Sequence, residues 1–149
     1  MNTKTITIYT DGSCKGNPGP GGWCAIIFID GDKKPTVILK GGEAKTTNNR
    51  MEMIGVIEAF KYIHENHLQR SSVTLYSDST LVIKTLTAGW KRKANVDLWE
   101  ELDGLNEELK VDYVWVRGHN ENKWNEECDK HACAEAEKIL GKNLQFDIP

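Results

Sequence analysis

Polar and apolar residues alternate near the start of the chain in the manner of a β-strand. Within residues 5–10, Ile6 and Ile8 are separated by polar positions, so one face of the segment would be buried. We expect this strand to stop at residues 11–13. Residues 17–22 are rich in proline and glycine and predict a loop.

Two further strands are predicted before the pattern changes. Residues 23–29 are continuously apolar, as in a buried strand, and residues 36–40 begin a third strand after the turn at residues 30–32. Short turns between consecutive strands favour an antiparallel meander.

From residue 49 onward, apolar residues recur three or four positions apart, which is the spacing of an amphipathic helix. The elements predicted after the meander are a helix at 49–66, a strand at 73–76, a helix at 79–86 that stops near Gly89, a helix that Asn95 caps, a strand at 113–116 and a helix at 122–140 that ends at Gly141. This order predicts an α/β fold in which helices flank a mixed five-stranded sheet.

The length of 149 residues, without an internal repeat or a linker, fits one domain. We expect that domain to span residues 1–149, with residues 142–149 as a flexible tail. No apolar run approaches the roughly 20 residues of a membrane-spanning helix, and no export signal is visible. We therefore expect a cytoplasmic monomer without membrane attachment.

Charge limits how the chain could bind nucleic acid. Nineteen basic and 22 acidic residues give a net charge of −3, which argues against binding through net charge alone. The densest basic run is residues 91–93 beside Trp90, and Lys40, Lys45 and Arg50 form a second basic group. A solvated turn is the ordinary alternative for so short a run.

The four cysteines are Cys14, Cys24, Cys128 and Cys133. In a chain of this size we expect reduced, packed thiols rather than a disulfide framework. The paired ligand spacing of a structural zinc site is missing, which disfavours zinc.

Four carboxylates are placed where a ligand could bind. Asp11 and Asp78 follow the first and fourth predicted strands, Glu52 lies in the first turn of the long helix, and Asp129 lies on the last helix. If the two strands are parallel neighbours, their ends share one crevice, where α/β sheets bind ligands. Converging carboxylates require a cation, and hard cations such as Mg²⁺ prefer oxygen ligands.

Each acid also has an ordinary structural interpretation. Asp11 could belong to a turn, Glu52 could form a capping box with Asn49, Asp78 could cap the next helix, and Asp129 could be a solvated helix charge. No single acid decides between the two interpretations.

Six ordered segments decide it together. They are residues 10–22, 46–52, 77–79, 95–99, 115–119 and 125–129. In content and order these segments resemble the motifs of the type 1 ribonuclease H family, over residues 6–136.

The resemblance implies a ribonuclease H-like fold and an endonuclease that hydrolyses the RNA strand of RNA/DNA hybrids. It implies two Mg²⁺ ions, with Mn²⁺ as a substitute, bound by Asp11, Glu52, Asp78 and Asp129. It also implies that His119 assists proton transfer or product release.

Substrate contacts are also implied. Asn17, Asn48 and Asn49 can both donate to and accept from a 2′-hydroxyl, the group that distinguishes RNA from DNA. The resemblance places Lys45, Thr47 and Asn95 near a phosphate of the DNA strand and Trp90 against its sugars. We expect Trp23, Trp99 and Trp115 to pack in the core.

The chain departs from many family members before residue 95. Those members carry a longer basic insertion, the handle, where this chain has only residues 87–94. We therefore expect a handle-less member that binds hybrids weakly.

Two alternatives remain open at this point. One is a nuclease that uses the same acids on another polynucleotide, such as a strand-transfer enzyme or a fragment of a reverse transcriptase. The other is a non-catalytic module that binds hybrids or double-stranded RNA. The asparagines favour hybrid recognition over the first, and the presence of all four acids argues against the second.

Overall fold

The computed structural model describes residues 3–117 and 122–146. Within them the elements are β1 (Thr5–Cys14), β2 (Gly19–Ile29), β3 (Val37–Thr46), α1 (Asn48–Glu65), β4 (Ser72–Ser77), α2 (Thr80–Ala88), α3 (Val96–Asn106), β5 (Lys110–Trp115) and α4 (Lys123–Phe146). The predicted order of strands and helices is confirmed.

The five strands form one mixed sheet in the order β3-β2-β1-β4-β5. β2 pairs antiparallel with β1 and with β3, as the meander requires. β4 pairs parallel with β1 and with β5, and Tyr9 lies opposite Tyr76 in the first of these pairs. The carboxyl ends of β1 and β4 therefore lie side by side, as the sequence predicted for Asp11 and Asp78.

Both faces of the sheet are covered because β2 is apolar on both sides. Ala25 and Ile27 belong to the core that the sheet shares with α1, α2 and α3. Cys24, Ile26 and Phe28 belong to a second cluster, which includes residues of α4. Alternation along the strand directs these two sets to opposite faces.

The ends of β1 and β2 differ from the prediction. β1 does not stop at residue 10 but continues to Cys14, because residues 11–14 pair with residues 21–24 of β2. The connection between the strands is therefore only residues 15–18, and Gly19 already lies in β2. Glycines carry no side-chain pattern, so pairing through them could not be recognised from alternation.

Two helix ends also differ. Thr47, not Asn49, caps α1, and its hydroxyl accepts from the backbone N–H of Arg50 at 3.3 Å. α4 continues past Gly141 to Phe146, so the expected stop at that glycine is wrong. Gly89 does end α2, in the left-handed region at a φ of 69°.

The cysteines and Trp99 match the predictions from the sequence, whereas Trp115 does not. All four cysteines are free, with Cys24 and Cys128 fully buried. Trp99 is buried as expected, but Trp115 is 49% exposed and does not belong to the core. None of the described helices is long and apolar enough to cross a membrane.

Candidate active site

An acidic cleft of about 350 Å³ opens where the ends of β1 and β4 meet the start of α1 and one face of α4. It is lined by Asp11, Gly12, Asn48, Asn49, Glu52, Asp78, Ser79, Thr80, Leu81 and Asp129. All four carboxylates that the sequence singled out therefore border one cavity.

Three of these acids form a tight group. Asp11, Glu52 and Asp78 each place a carboxylate oxygen within 4.8 Å of the others. Asp11 and Glu52 are buried, and Asp78 is partly exposed. Asp129, also partly exposed, lines the cleft but does not belong to this group.

A glycine allows β1 and α1 to approach closely enough to form the group. A Cβ at Gly12 would press against the backbone of Glu52 and would lie 2.6 Å from the carbonyl carbon of Met51. Any larger residue would push α1 away from β1. The distance between Asp11 and Glu52 therefore depends on the absence of a side chain at position 12.

The buried acids are only partly satisfied within the fold. The backbone N–H of Gly12 donates to Asp11 Oδ1 at 2.9 Å. Asp11 Oδ2 and Glu52 Oε1 are buried and accept no hydrogen bond. No lysine or arginine is among the described residues that line the cleft. Such uncompensated charge is costly unless a ligand balances it.

Burial is the main cause of a raised pKa at two of the acids. It raises the pKa of Asp11 to about 8, and the nearby Asp78 and Asp129 charges add to the effect, while hydrogen bonds from Glu52 and Gly12 oppose it. The pKa of Glu52 is also raised well above its usual range, first by burial and then by the Asp11 and Asp78 carboxylates. Without a cation, burial therefore favours the protonated forms of Asp11 and Glu52.

The donor set fits a hard divalent cation. Every group within the cluster offers a carboxylate oxygen, which Mg²⁺ prefers over nitrogen or sulfur ligands. The unpartnered oxygens of Asp11 and Glu52 are the atoms that a cation would satisfy. Asp129 is the additional carboxylate that borders the same cavity.

The predicted hybrid-reading asparagines lie at the start of α1. Asn48 and Asn49 are exposed and line the cleft beside Glu52. Asn17 does not line it, but its Oδ1 accepts from the backbone N–H of Asn48 at 3.1 Å. The Asn17 side chain therefore fixes the 15–18 connection on the first turn of α1, with its amide nitrogen free to donate.

Arg50 connects α1 to α3, a role that the sequence did not indicate. Its guanidinium donates to both carboxylate oxygens of Asp97, at 3.1 and 2.9 Å, and to Asn95 Oδ1 at 3.2 Å. Asn95 is the N-cap residue of α3, as predicted, with a φ of 57°, but its side chain makes no capping hydrogen bond. The side chain instead accepts from Arg50.

A second cavity of about 450 Å³, the α2–α3 groove, extends from the cleft. It is lined by Asn49, Leu81, Trp90, Lys91, Arg92, Lys93, Ala94, Asn95 and Trp99. Trp90 is 48% exposed, which argues against core packing. Thr47 is partly exposed at the α1 cap, while Lys45 is exposed at the end of β3 and lines neither cavity.

Two other residues singled out by the sequence are His119 and Trp115. His119 lies outside the described residues. Trp115 was expected in the core, but its indole Nε1–H donates to the backbone carbonyl of Asp78 at 3.2 Å. The pairing of β4 with β5 explains this contact, because Trp115 lies opposite Ser77, the residue before Asp78. No local sequence signal indicates such a bond.

Comparison with known proteins gives consistent results. The family model described as RNase H matches residues 3–137. The chain is 44% identical to the Ribonuclease H of Polaromonas naphthalenivorans, covering 92% of this chain and 90% of the relative. It is 41% identical to the Ribonuclease H of Methylobacillus flagellatus, covering 97% and 99% of the two chains.

Solved structures share the fold. The chain superposes with a TM-score of 0.80 on LC11-RNase H1, crystallised in complex with an RNA/DNA hybrid. That alignment covers 91% of this chain and 99% of the other, at 23% sequence identity.

Proposed function

The chain belongs to the RNase H family, as a ribonuclease H enzyme, and we propose that it hydrolyses the RNA strand of RNA/DNA hybrids with two divalent ions. The observation that carries the proposal is the pair of unpartnered buried oxygens, Asp11 Oδ2 and Glu52 Oε1, beside Asp78 in the cleft. Buried polar atoms without a partner call for an explanation, and a bound cation would supply one for this pair.

Asp11, Glu52 and Asp78 would hold the divalent ions, with Asp129 as the fourth acid. When bound, such ions stabilise the negative charge that develops on a phosphodiester and lower the pKa of the attacking water. Mg²⁺ is the ion that we propose, and Mn²⁺ has compatible ligand preferences. The carboxylates supply the fixed negative charge that sets the position of the ions relative to the start of α1.

Recognition of the RNA strand would come from the asparagines. The exposed side chains of Asn48 and Asn49 border the cleft, where they can donate to and accept from 2′-hydroxyls. The carbonyl oxygen of Asn17 already accepts from the backbone of Asn48, and its amide nitrogen can donate to the RNA strand. A strand that lacks 2′-hydroxyls would leave these groups without partners near the metal ions.

The DNA strand would follow the α2–α3 groove. Trp90 is positioned to contact sugars, and Lys91 and Lys93 line the same groove. Thr47 and Asn95 lie on either side of Arg50, which donates to Asn95, so a phosphate at this point would meet several donors. Lys45 would act from outside the groove.

His119 is proposed to transfer a proton or to assist product release. The residue follows β5 closely in sequence, and Trp115, the last residue of that strand, is bonded to Asp78. An imidazole can accept and donate a proton near neutral pH. We further propose that the enzyme is a cytoplasmic monomer.

The experiment is a cleavage assay on an RNA/DNA hybrid labelled on one strand at a time, with Mg²⁺, Mn²⁺ or EDTA. We expect cleavage of the RNA strand only, abolished by EDTA, with RNA/RNA and DNA/DNA duplexes intact. Attack by water with departure of the 3′ oxygen leaves 5′-phosphate and 3′-hydroxyl ends. Cleavage of duplex DNA, or 2′,3′-cyclic phosphate ends in EDTA, would contradict the proposal.

A further inference from the structure

The α2–α3 connection, residues 89–95, is held at both ends. Gly89 ends α2 in the left-handed region. At the other end, Asn95 accepts a hydrogen bond from Arg50, whose guanidinium is paired with Asp97 of α3. This connection occupies the position of the missing handle, and no helix or strand lies within it.

Arg92 attaches the middle of the connection to α3. Its Nη2 donates to Asp103 Oδ1 at 2.9 Å, and its guanidinium carbon lies 5.2 Å from the centroid of the Trp99 ring. Trp99 is only 3% exposed, so the guanidinium is stacked on a ring that belongs to the core. The two contacts are independent and hold the same side chain.

The neighbouring lysines behave differently. Lys91, Arg92 and Lys93 are all exposed and line the α2–α3 groove with Trp90. Neither lysine has an ion-pair partner among the residues that the structure describes, whereas the charge of Arg92 is balanced by Asp103. The basic run therefore contains two unpaired cations on either side of a paired one.

We propose that Arg92 is a positioning residue for hybrid binding: it fixes the α2–α3 connection on α3, so that Trp90, Lys91 and Lys93 are held at the groove, and it does not itself bind a phosphate. The inference rests on the proposed function, because the groove must receive the hybrid. Its physical basis is preorganisation, since ordering the connection before binding removes that cost from the association step.

The opposite assignment makes Arg92 a third phosphate ligand that Asp103 restrains. The two assignments predict opposite effects of Asp103→Ala on hybrid affinity. If Arg92 positions the connection, then Asp103→Ala loosens the connection and weakens hybrid binding. If Arg92 is a restrained ligand, the same change releases a cation, which tightens binding and steepens its dependence on salt.

The test is a double-mutant cycle of Arg92→Ala and Asp103→Ala, with hybrid affinity measured by fluorescence anisotropy in EDTA across a range of salt concentrations. We expect Asp103→Ala to weaken binding about twofold to fivefold, the scale of an exposed ion pair, and Arg92→Ala, which also loses the cation–π contact, about threefold to tenfold. The double change should be no worse than Arg92→Ala alone, because removing Asp103 adds nothing once Arg92 is absent. In steady state with Mg²⁺, KM should rise while kcat stays constant.

Three control variants separate positioning from charge. Lys91→Ala and Lys93→Ala should each lower the salt slope by about one phosphate, whereas Arg92→Ala should leave it unchanged. Glu100→Ala, at an exposed position of α3, measures the general effect of removing one negative charge. Melting temperatures should stay near that of the wild type for all variants, because every changed side chain is exposed or partly exposed.

Two results would overturn the inference while the wild type still binds hybrids. One is tighter binding by Asp103→Ala than by Glu100→Ala, and the other is a flatter salt slope for Arg92→Ala. Additive effects in the cycle would also overturn it. Failure of the wild type to bind or cleave hybrids would overturn the proposed function as well.

Discussion

The acidic cleft and the α2–α3 connection hold charge in opposite ways. In the cleft, Asp11 and Glu52 are buried with unpartnered oxygens, and the described residues that line the cleft include no lysine or arginine. Beside the connection, Arg50 and Arg92 are each bonded to an aspartate of α3. Both regions carry many charged groups, but only the arginines beside the connection have oppositely charged partners within the chain.

This difference distinguishes the proposed catalytic site from the ion pairs that hold the fold in place. Charge that is paired within the chain costs little and holds elements in place, whereas buried charge without a partner destabilises the fold. The cleft is therefore the region that an external cation would complete. Beside the connection, the arginines are already paired with aspartates of the chain, and only Lys91 and Lys93 remain to contact an anionic partner.

The largest expected effect is on catalysis in the cleft. Asp78→Asn preserves shape but removes one charge of the proposed metal site, so activity on a hybrid should fall by a factor of about 10³ or more. Steady-state cleavage at saturating Mg²⁺ measures it. Asp112→Asn, an exposed acid on β5, is the matched control and should retain activity. Retention of a tenth of wild-type activity by Asp78→Asn would refute the assignment.

The next largest expected loss of activity distinguishes a residue that transfers a proton from one that binds the metal ions. His119→Ala should lower kcat by roughly 10²-fold, the scale of a general acid or base. The same cleavage assay, run across pH, measures the loss. A loss as large as that of Asp78→Asn would mean that the roles of the two residues are ranked wrongly.

A smaller effect concerns the cationic side of the comparison. The double change of Lys91 and Lys93 to alanine should raise KM and lower the salt slope of hybrid binding by about two phosphates, with kcat unchanged. Lys34→Ala, in the β2–β3 turn, is the matched control. An unchanged slope would mean that the connection is a solvated turn and that the hybrid binds elsewhere.

The smallest effect is on stability and follows from the raised pKa of Asp11, about 8 in the fold against 3.8 for the ordinary group. Between these values the unfolded chain loses its proton and the folded chain keeps it, so stability falls as pH rises through about 8. Asp11→Asn should remove that slope. In EDTA near pH 8 it should melt a few degrees above wild type if about 1 kcal/mol of strain is relieved. Identical melting curves across pH would contradict the convergence of the acids.

Much of the fold could be predicted because local patterns determine it. Alternation located β1, a continuous apolar run located β2, helical spacing located α1 and α3, and the order of elements implied the mixed sheet. The misplaced ends arise where local patterns carry no information. Gly21 and Gly22 pair in β2 without side chains to mark them, and Gly141 is compatible with helix when no turn follows it.

Less of the candidate site than of the fold could be predicted from the sequence. The meeting of Asp11 with Asp78 follows from two parallel strand ends, and this geometry is confirmed. The links of Arg50 to Asp97 and of Trp115 to Asp78 join residues more than thirty positions apart, and only the packed fold reveals them. The catalytic and binding roles of the individual residues remain predictions.

The most direct test of the cleft is a calorimetric titration of the metal-free protein with Mn²⁺ near pH 7, in buffers of different ionisation heat. Because Asp11 and Glu52 hold protons in the absence of a cation, ion binding should release protons, and affinity should rise with pH towards 8. Asp112→Asn should behave as wild type, whereas Asp11→Asn should bind far more weakly. Equal binding by Asp11→Asn, or binding without proton release, would contradict the claim that the unpartnered carboxylates form the metal site.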